Sequence, residues 1–393
     1  MKLIPILISV LLSVPLGCNS KRETETPSRF LDYWSTGALH HIADKECKPF
    51  SEKIISDVID SIRSSSSYED HSIRLSDSDG VQYTLGLGLP EIHKTGQSFP
   101  LIIYLHGGVR TDVSTKGESA YKMLDGLRDS LDLILASPSA NHFAPWWSKR
   151  GLNRILQTIR YVTTHYPVDE NRIFLAGVSD GATGCYAAAN CINGPFAGFF
   201  AISGYGGMLP SLGMQLSVNN LKKRPVYNIQ GGKDRLYPSH LVDRFLSHLQ
   251  SRGVQITSKV YREEDHGFDY REKEFPAIAE RIRSWSRPQK RDLRWEIVPG
   301  VPNVPNQIIS YQPADKKTEY RIRATFENDT IRIDSRNLSS VSFLAPPNRI
   351  LVAHDSRKKP FTVSETPAEH SAVLFYSLGP IGNNSLYTIH FRR

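Results

Sequence analysis

The chain has little cysteine: four in 393 residues. Cys18, Cys47, Cys185 and Cys191 are too few and too scattered for a disulfide framework or a thiolate metal cluster. Cys185 and Cys191 fall on one expected helix, where six residues of rise put their Cα atoms about 9 Å apart. That is beyond disulfide reach, so both are expected as buried free thiols. Past the first eighteen residues no run of 18 consecutive apolar residues occurs, which excludes a further membrane-spanning helix. No internal repeat is present. Nor is there a basic run interleaved with aromatics, so the net charge of +8 reads as a solvated basic surface and not as a nucleic-acid site. No metal or organic cofactor is implied by any motif.

What is present begins at the N-terminus. "MKLIPILISVLLSVPLGC" has one basic residue, an apolar run from Leu3 to Val14, and then Leu16-Gly17-Cys18. The run is too short to span a bilayer comfortably and reads as a secretory signal with a small residue before the cut. Cysteine directly after the cut resembles a bacterial lipoprotein signal, which implies Cys18 as the lipidated first residue. Pro15 departs from that pattern, standing where such signals carry leucine. The polar tract "NSKRETETPSRF" fits a tether leaving a membrane surface. Asn19 is not the aspartate of inner-membrane retention, so the resemblance implies an exported protein anchored by lipid, with the outer membrane favoured. Ordinary secretion with Cys18 lost or free is the alternative.

Residues 19–75 are expected to hold the tether and an amphipathic helix, "SEKIISDVIDSIRSSSS", with Ile54, Ile55, Val58, Ile59 and Ile62 at helical spacing. From residue 76 to 288 strands alternate with helices. Apolar runs such as "LIIYL", "LDLILAS", "RIFLAG", "GFFAIS" and "VYNIQ" each end in a small-residue turn, and amphipathic segments separate them. This predicts an α/β domain, a mostly parallel sheet flanked by helices. Ligand sites in such folds gather beyond the carboxyl ends of the strands, so His106–Val109, Ser179, Asp234 and His266 should meet at one sheet edge. Residues 289–393 alternate apolar and polar positions between turn signals, as in "EYRIRATFENDTIRIDSRN". They predict a C-terminal all-β accessory domain, a small sandwich.

Gly177-Val178-Ser179-Asp180-Gly181 fits G-x-S-x-G. A chain of this length yields roughly 0.1–0.2 such matches by chance, so its setting decides. Ile173–Ala176 is an expected strand and Ala182–Asn190 a small-residue helix, which places Ser179 on the turn between them, where a nucleophile would be exposed. A serine hydroxyl needs a base, a group to orient that base, and donors for an oxyanion. Of 13 histidines, His266 in "EDHGF" follows both the serine and the last predicted strand; His165, His240 and His248 are its rivals. Asp234 in "QGGKD" lies between serine and histidine at a strand end, with Asp243, Asp265 and Asp269 as rivals. The oxyanion hole should combine the N–H of Asp180 with that of Gly108 in the turn after "LIIYL". The Asp180 side chain is expected to favour the helix N-terminus or accept local hydrogen bonds.

"LIIYLHGG", "YPVDENRIFLAGVSDGATG", "QGGKD" and "DHGF" together resemble an α/β-hydrolase. The nearest branch is that of phospholipase/carboxylesterases, polyhydroxybutyrate depolymerases and feruloyl esterases. The resemblance covers roughly 76–288 and implies a Ser179–Asp234–His266 triad acting on a small-molecule or polymer-linked ester. Gly-Val-Ser-Asp-Gly-Ala departs from the branch's G-x-S-x-G-G in its last letter. In related enzymes the loop holding "HFAPWW" lines the substrate pocket, which makes Trp146 and Trp147 candidates for an apolar wall, with core packing equally open; Tyr205 in "ISGYGG" is a weaker one. A peptidase of the prolyl oligopeptidase branch and a non-catalytic binding protein on the same scaffold are the competing functions.

Overall fold

The computed structural model describes residues 52–77, 79–91, 96–288, 295, 296, 298 and 300–303, together with strand segments within 308–313, 321–327, 330–344, 349–354, 361–367 and 385–391. The signal segment, the tether, Cys18 and Cys47 lie outside the described residues.

The first helix, α1 (Glu52–Ser65), follows the expected period, and serines end it. Ser65 and Ser66 Oγ both donate to the Ile62 carbonyl at 2.9 Å, and Ser64 Oγ donates to the Asp60 carbonyl at 2.7 Å. Hydroxyls that bond to their own preceding turn compete with helix propagation. The chain then enters an eight-stranded sheet: β1 (His71–Ser76), β2 (Gln82–Gly88), β3 (Phe99–Leu105), β4 (Ile134–Pro138), β5 (Val168–Val178), β6 (Gly198–Ile202), β7 (Val226–Gly231) and β8 (Ile256–Tyr261). Their spatial order is β1-β2-β4-β3-β5-β6-β7-β8. The β1–β2 and β2–β4 pairs are antiparallel and all later ones parallel. The sheet begins at His71, inside the stretch expected to be tether and helix.

Among the described residues, five helices of seven residues or more follow α1: α2 (Asp125–Leu131), α3 (Lys149–His165), α4 (Asp180–Cys191), α5 (Ser239–Ser251) and α6 (Arg271–Ser284). Every residue of β3, β4, β6 and β7 is buried, as a parallel sheet covered on both faces requires. Strand alternation divides the core in two. Leu101, Ile103 and Leu105 face one side with Leu152 of α3, Cys185 of α4 and Leu246 of α5. Ile102 and Tyr104 face the other with Leu127 of α2 and Ile278 of α6. Cys185 and Cys191 are free and buried, and burial pushes both thiols up and leaves them inert.

One buried ion pair fixes α3 to the sheet. Arg154, 1% exposed, donates through Nε and Nη2 to Asp77, and its Nη1 donates to the Ser139 carbonyl at 2.9 Å. The guanidinium also lies 4.4 Å from the Tyr83 ring centroid. Beyond α6, Glu296 docks on the α/β body: Ser217 Oγ and Asn219 Nδ2 donate to its carboxylate at 2.8 and 2.9 Å. Val298 joins the main core. The described C-terminal strands pair as a three-stranded and a four-stranded sheet.

Removing Arg154 leaves the buried Asp77 carboxylate without its bidentate partner, with Arg150 Nε at 3.4 Å as its remaining ion pair. Arg154→Met should lower unfolding free energy by about 3–5 kcal/mol, read as a lower urea midpoint at unchanged slope.

Candidate active site

The site grows from the turn between β5 and α4. Ser179 stands between the last strand residue, Val178, and the first helical one, Asp180, with φ 57 and ψ −120, a positive φ for a residue with a Cβ. It is held from both sides: its N–H donates to the Ile202 carbonyl at 2.9 Å, and its own carbonyl accepts from Ala182 N at 2.9 Å. Gly181 allows the bend, because a Cβ there would stand 2.0 Å from the Leu105 carbonyl oxygen. The first turn of α4 therefore lies directly on the end of β3.

His266 comes from the loop between β8 and α6. Its Nδ1–H donates to Asp234 Oδ2 at 2.9 Å, and its Nε2 lies 3.0 Å from Ser179 Oγ. A carboxylate only accepts, so the proton sits on Nδ1 and Nε2 accepts from the serine hydroxyl. Asp234 follows β7 and its side chain is fully buried. Besides His266 it accepts from Gln230 Nε2 at 2.9 Å and from the N–H groups of Leu236 and Tyr237, both at 2.8 Å. These donors fix the carboxylate so that one oxygen faces the imidazole.

The rivals are elsewhere. His240 and His248 are exposed on α5, and His165 stacks on Tyr161 with ring centroids 4.0 Å apart. Asp269 pairs with Arg271, and Asp243 is exposed.

The turn after β3 lies beside the serine: a Cβ on Gly107 would be 3.6 Å from Ser179 Oγ. Gly108 takes φ +64, which glycine reaches without penalty. Asp180 is the first residue of α4, so its N–H has no intrahelical acceptor. Its carboxylate reaches across to the turn, and Oδ2 accepts from Val109 N–H at 3.0 Å. Below the turn His106 is buried. Its Nε2 accepts from Ala140 N–H at 3.0 Å, and its Nδ1–H is directed at the Gly107 carbonyl at 2.9 Å.

Trp146 is not a pocket wall. It is 0% exposed, its Nε1–H donates to the His106 carbonyl at 2.9 Å, and its ring meets His106 edge-on at 5.3 Å. It supports the turn from inside the core. Trp147 is half-buried against the main core. Tyr205 packs edge-on against Tyr237 at 6.2 Å and Phe245 at 5.4 Å, one ring removed from the histidine. Sequence position put these aromatics near the site, but which way each points depends on packing.

Two residues had no signal of their own. Gln230 reads in sequence as one more strand residue, yet it is fully buried and donates to Asp234. The Tyr237 ring stacks on His266 at 5.6 Å and 24°. Its hydroxyl donates to Asp180 Oδ1 at 3.3 Å, and burial raises its pKa to about 12.

Sheet order, elbow and hydrogen-bonded Ser–His–Asp chain define a serine hydrolase of the α/β-hydrolase fold. Residues 148–286 match the phospholipase/carboxylesterase family model. No curated protein matches the chain. Among solved structures, a thermostable esterase is similar at 20% identity, over 56% of this chain and 64% of its own, with a TM-score of 0.45. An S-formylglutathione hydrolase from Staphylococcus aureus is similar at 18% identity, over 54% and 95%, with a TM-score of 0.45. An acylaminoacyl peptidase from Pyrococcus horikoshii is similar at 15%, over 58% and 44%, also at 0.45.

His106 couples the turn to pH. Burial first, and the charge of Lys116, lower its pKa from 6.5 to about 4, against the opposing pull of the Gly107 carbonyl and Asp180. The unfolded chain therefore takes up the proton first as pH falls. This contribution to stability is complete above about pH 6.5 and is lost on the way down to about 4. It amounts to on the order of 3 kcal/mol. Between pH 7 and 4.5 the melting temperature of the wild type should fall further than that of His106→Gln, measured by differential scanning calorimetry.

Proposed function

We propose that the protein hydrolyses carboxylic esters through an acyl-enzyme on Ser179. The observation that carries this is the continuous chain Ser179 Oγ–His266 Nε2–His266 Nδ1–Asp234 Oδ2, at 3.0 and 2.9 Å. His266 Nε2 takes the hydroxyl proton as Oγ attacks the ester carbonyl. Asp234 holds the imidazole in the tautomer that can accept and stabilises the imidazolium that forms. The N–H groups of Asp180 and Gly108 receive the oxyanion, and His266 returns the proton to the leaving alcohol. Water, deprotonated by the same nitrogen, then releases the acid. The family match over 148–286 supports esters over other acyl substrates.

A fluorophosphonate probe should label the wild type and leave Ser179→Ala unlabelled; equal behaviour of the two refutes the reading. With p-nitrophenyl acetate, Asp234→Asn should lower kcat by about 10⁴-fold, since its amide would favour the wrong tautomer. Turnover of peptide anilides at rates comparable to esters would favour a peptidase instead.

We also propose export and lipid attachment at Cys18, on the strength of Leu16-Gly17-Cys18 behind an apolar run. In cells fed an alkyne-tagged palmitate, the wild type should carry the label and sediment with membranes. Cys18→Ser should do neither, and a labelled variant would refute the anchor.

A further inference from the structure

The turn beside Ser179 is held by two opposite charges acting on one peptide bond. The unit joining Gly108 to Val109 presents its carbonyl to Lys116, whose Nζ donates at 2.7 Å. The N–H of the same unit donates to Asp180 Oδ2 at 3.0 Å. An ammonium on the oxygen and a carboxylate on the N–H match the dipole of the peptide, and bonds to charged groups are stronger than neutral ones. The arrangement falls on the second residue of a glycine pair, Gly108 with φ +64, where the absence of a Cβ leaves the backbone free to turn. The Gly108 N–H, the donor assigned to the oxyanion, lies on the preceding peptide and shares the Gly108 Cα with this unit, so holding the unit fixes the Cα from which that donor projects.

The Asp180 carboxylate also accepts from the Tyr237 hydroxyl at 3.3 Å, and that ring stacks on His266. One carboxylate thus ties the oxyanion turn to the acid–base pair. A carboxylate adjoining the nucleophile would on its own oppose a developing negative charge, and Lys116 on the same peptide supplies the offsetting charge.

We propose that Lys116 and the Asp180 side chain are positioning residues that clamp the Gly108–Val109 peptide and so hold the oxyanion donor in place. This rests on the reading of Ser179 as nucleophile. Asp180 then acts in two ways: through its N–H on the oxyanion and through its carboxylate on the turn that completes the hole.

The test compares Lys116→Met, Lys116→Arg, Asp180→Ala, Asp180→Asn and the Lys116→Met/Asp180→Ala double variant on p-nitrophenyl acetate. Active-site concentration is set by fluorophosphonate titration, and folding is checked by melting temperature. Lys116→Met and Asp180→Ala should each lower kcat about ten- to hundredfold, the scale of a displaced oxyanion donor, with KM changed by less than about threefold. Lys116→Arg and Asp180→Asn keep a donor and an acceptor and should recover most of the loss. The double variant should be no worse than the poorer single one, because both residues hold the same peptide. Wild-type kcat in Lys116→Met, an effect confined to KM, or losses that multiply in the double variant would overturn the clamp. Should Asp180→Ala fail to fold, the two Lys116 variants decide the matter. A wild type that the probe does not label overturns the nucleophile itself, a separate outcome from a labelled enzyme indifferent to Lys116.

Discussion

The contact of the first turn of α4 with the last residue of β3 governs the rest of the site. It is a backbone-on-backbone approach, closed by the absence of a side chain at Gly181. Because α4 sits that low, β5 has to finish in a reversal, and Ser179 is forced to a positive φ. Ser203, just after the adjacent β6, also has a positive φ, 51, and its N–H donates to the Ile229 carbonyl at 2.8 Å. Strained backbone persists where its surroundings over-determine it, and here the hydrogen bonds of two neighbouring strand ends do so. The same approach brings the turn after β3 alongside the serine and puts the N-terminus of α4 at the place where negative charge would develop.

The acid–base pair is built on a different footing. Asp234 and His266 stand on loops, after β7 and β8. Rigidity there comes from saturation: Asp234 accepts from a buried amide, two backbone N–H groups and the imidazole. Tyr237 contributes backbone to Asp234, its ring to His266 and its hydroxyl to Asp180. The nucleophile side and the acid–base side therefore share a fixed partner and do not depend on the sheet alone for their separation.

Ser179, His266 and Asp234 were legible because each is a polar residue in the turn or loop after a predicted strand, in an order that narrows the choice. The sheet was legible for the same reason, since fully buried strands read as unbroken hydrophobic stretches. Its edge was not. β1, "HSIRLS", is short, half-exposed and follows a serine run, so its alternation of Ile73 and Leu75 is weak. Gln230 and Tyr237 could not be picked out, because a glutamine in a strand and a tyrosine beside a turn gain their roles from the direction they face. Trp146 was open between pocket wall and core for the same reason: its position beyond β4 suits either, and only packing shows that its indole turns inward to the His106 carbonyl. The Asp180 side chain was expected to favour the helix N-terminus or to bond locally, and it bonds to the turn 71 residues earlier in the chain.

The docking of Glu296 has a geometric consequence for the strands that follow. Asn303 is still tied to the catalytic body's flank, its side chain bonded to Val298 and Val301. The first C-terminal strand begins at Ile308. Five residues of fully extended chain reach about 17 Å. The strand that begins at Ile308 is thus on a short leash with a fixed post, its first residue held within that reach of Asn303.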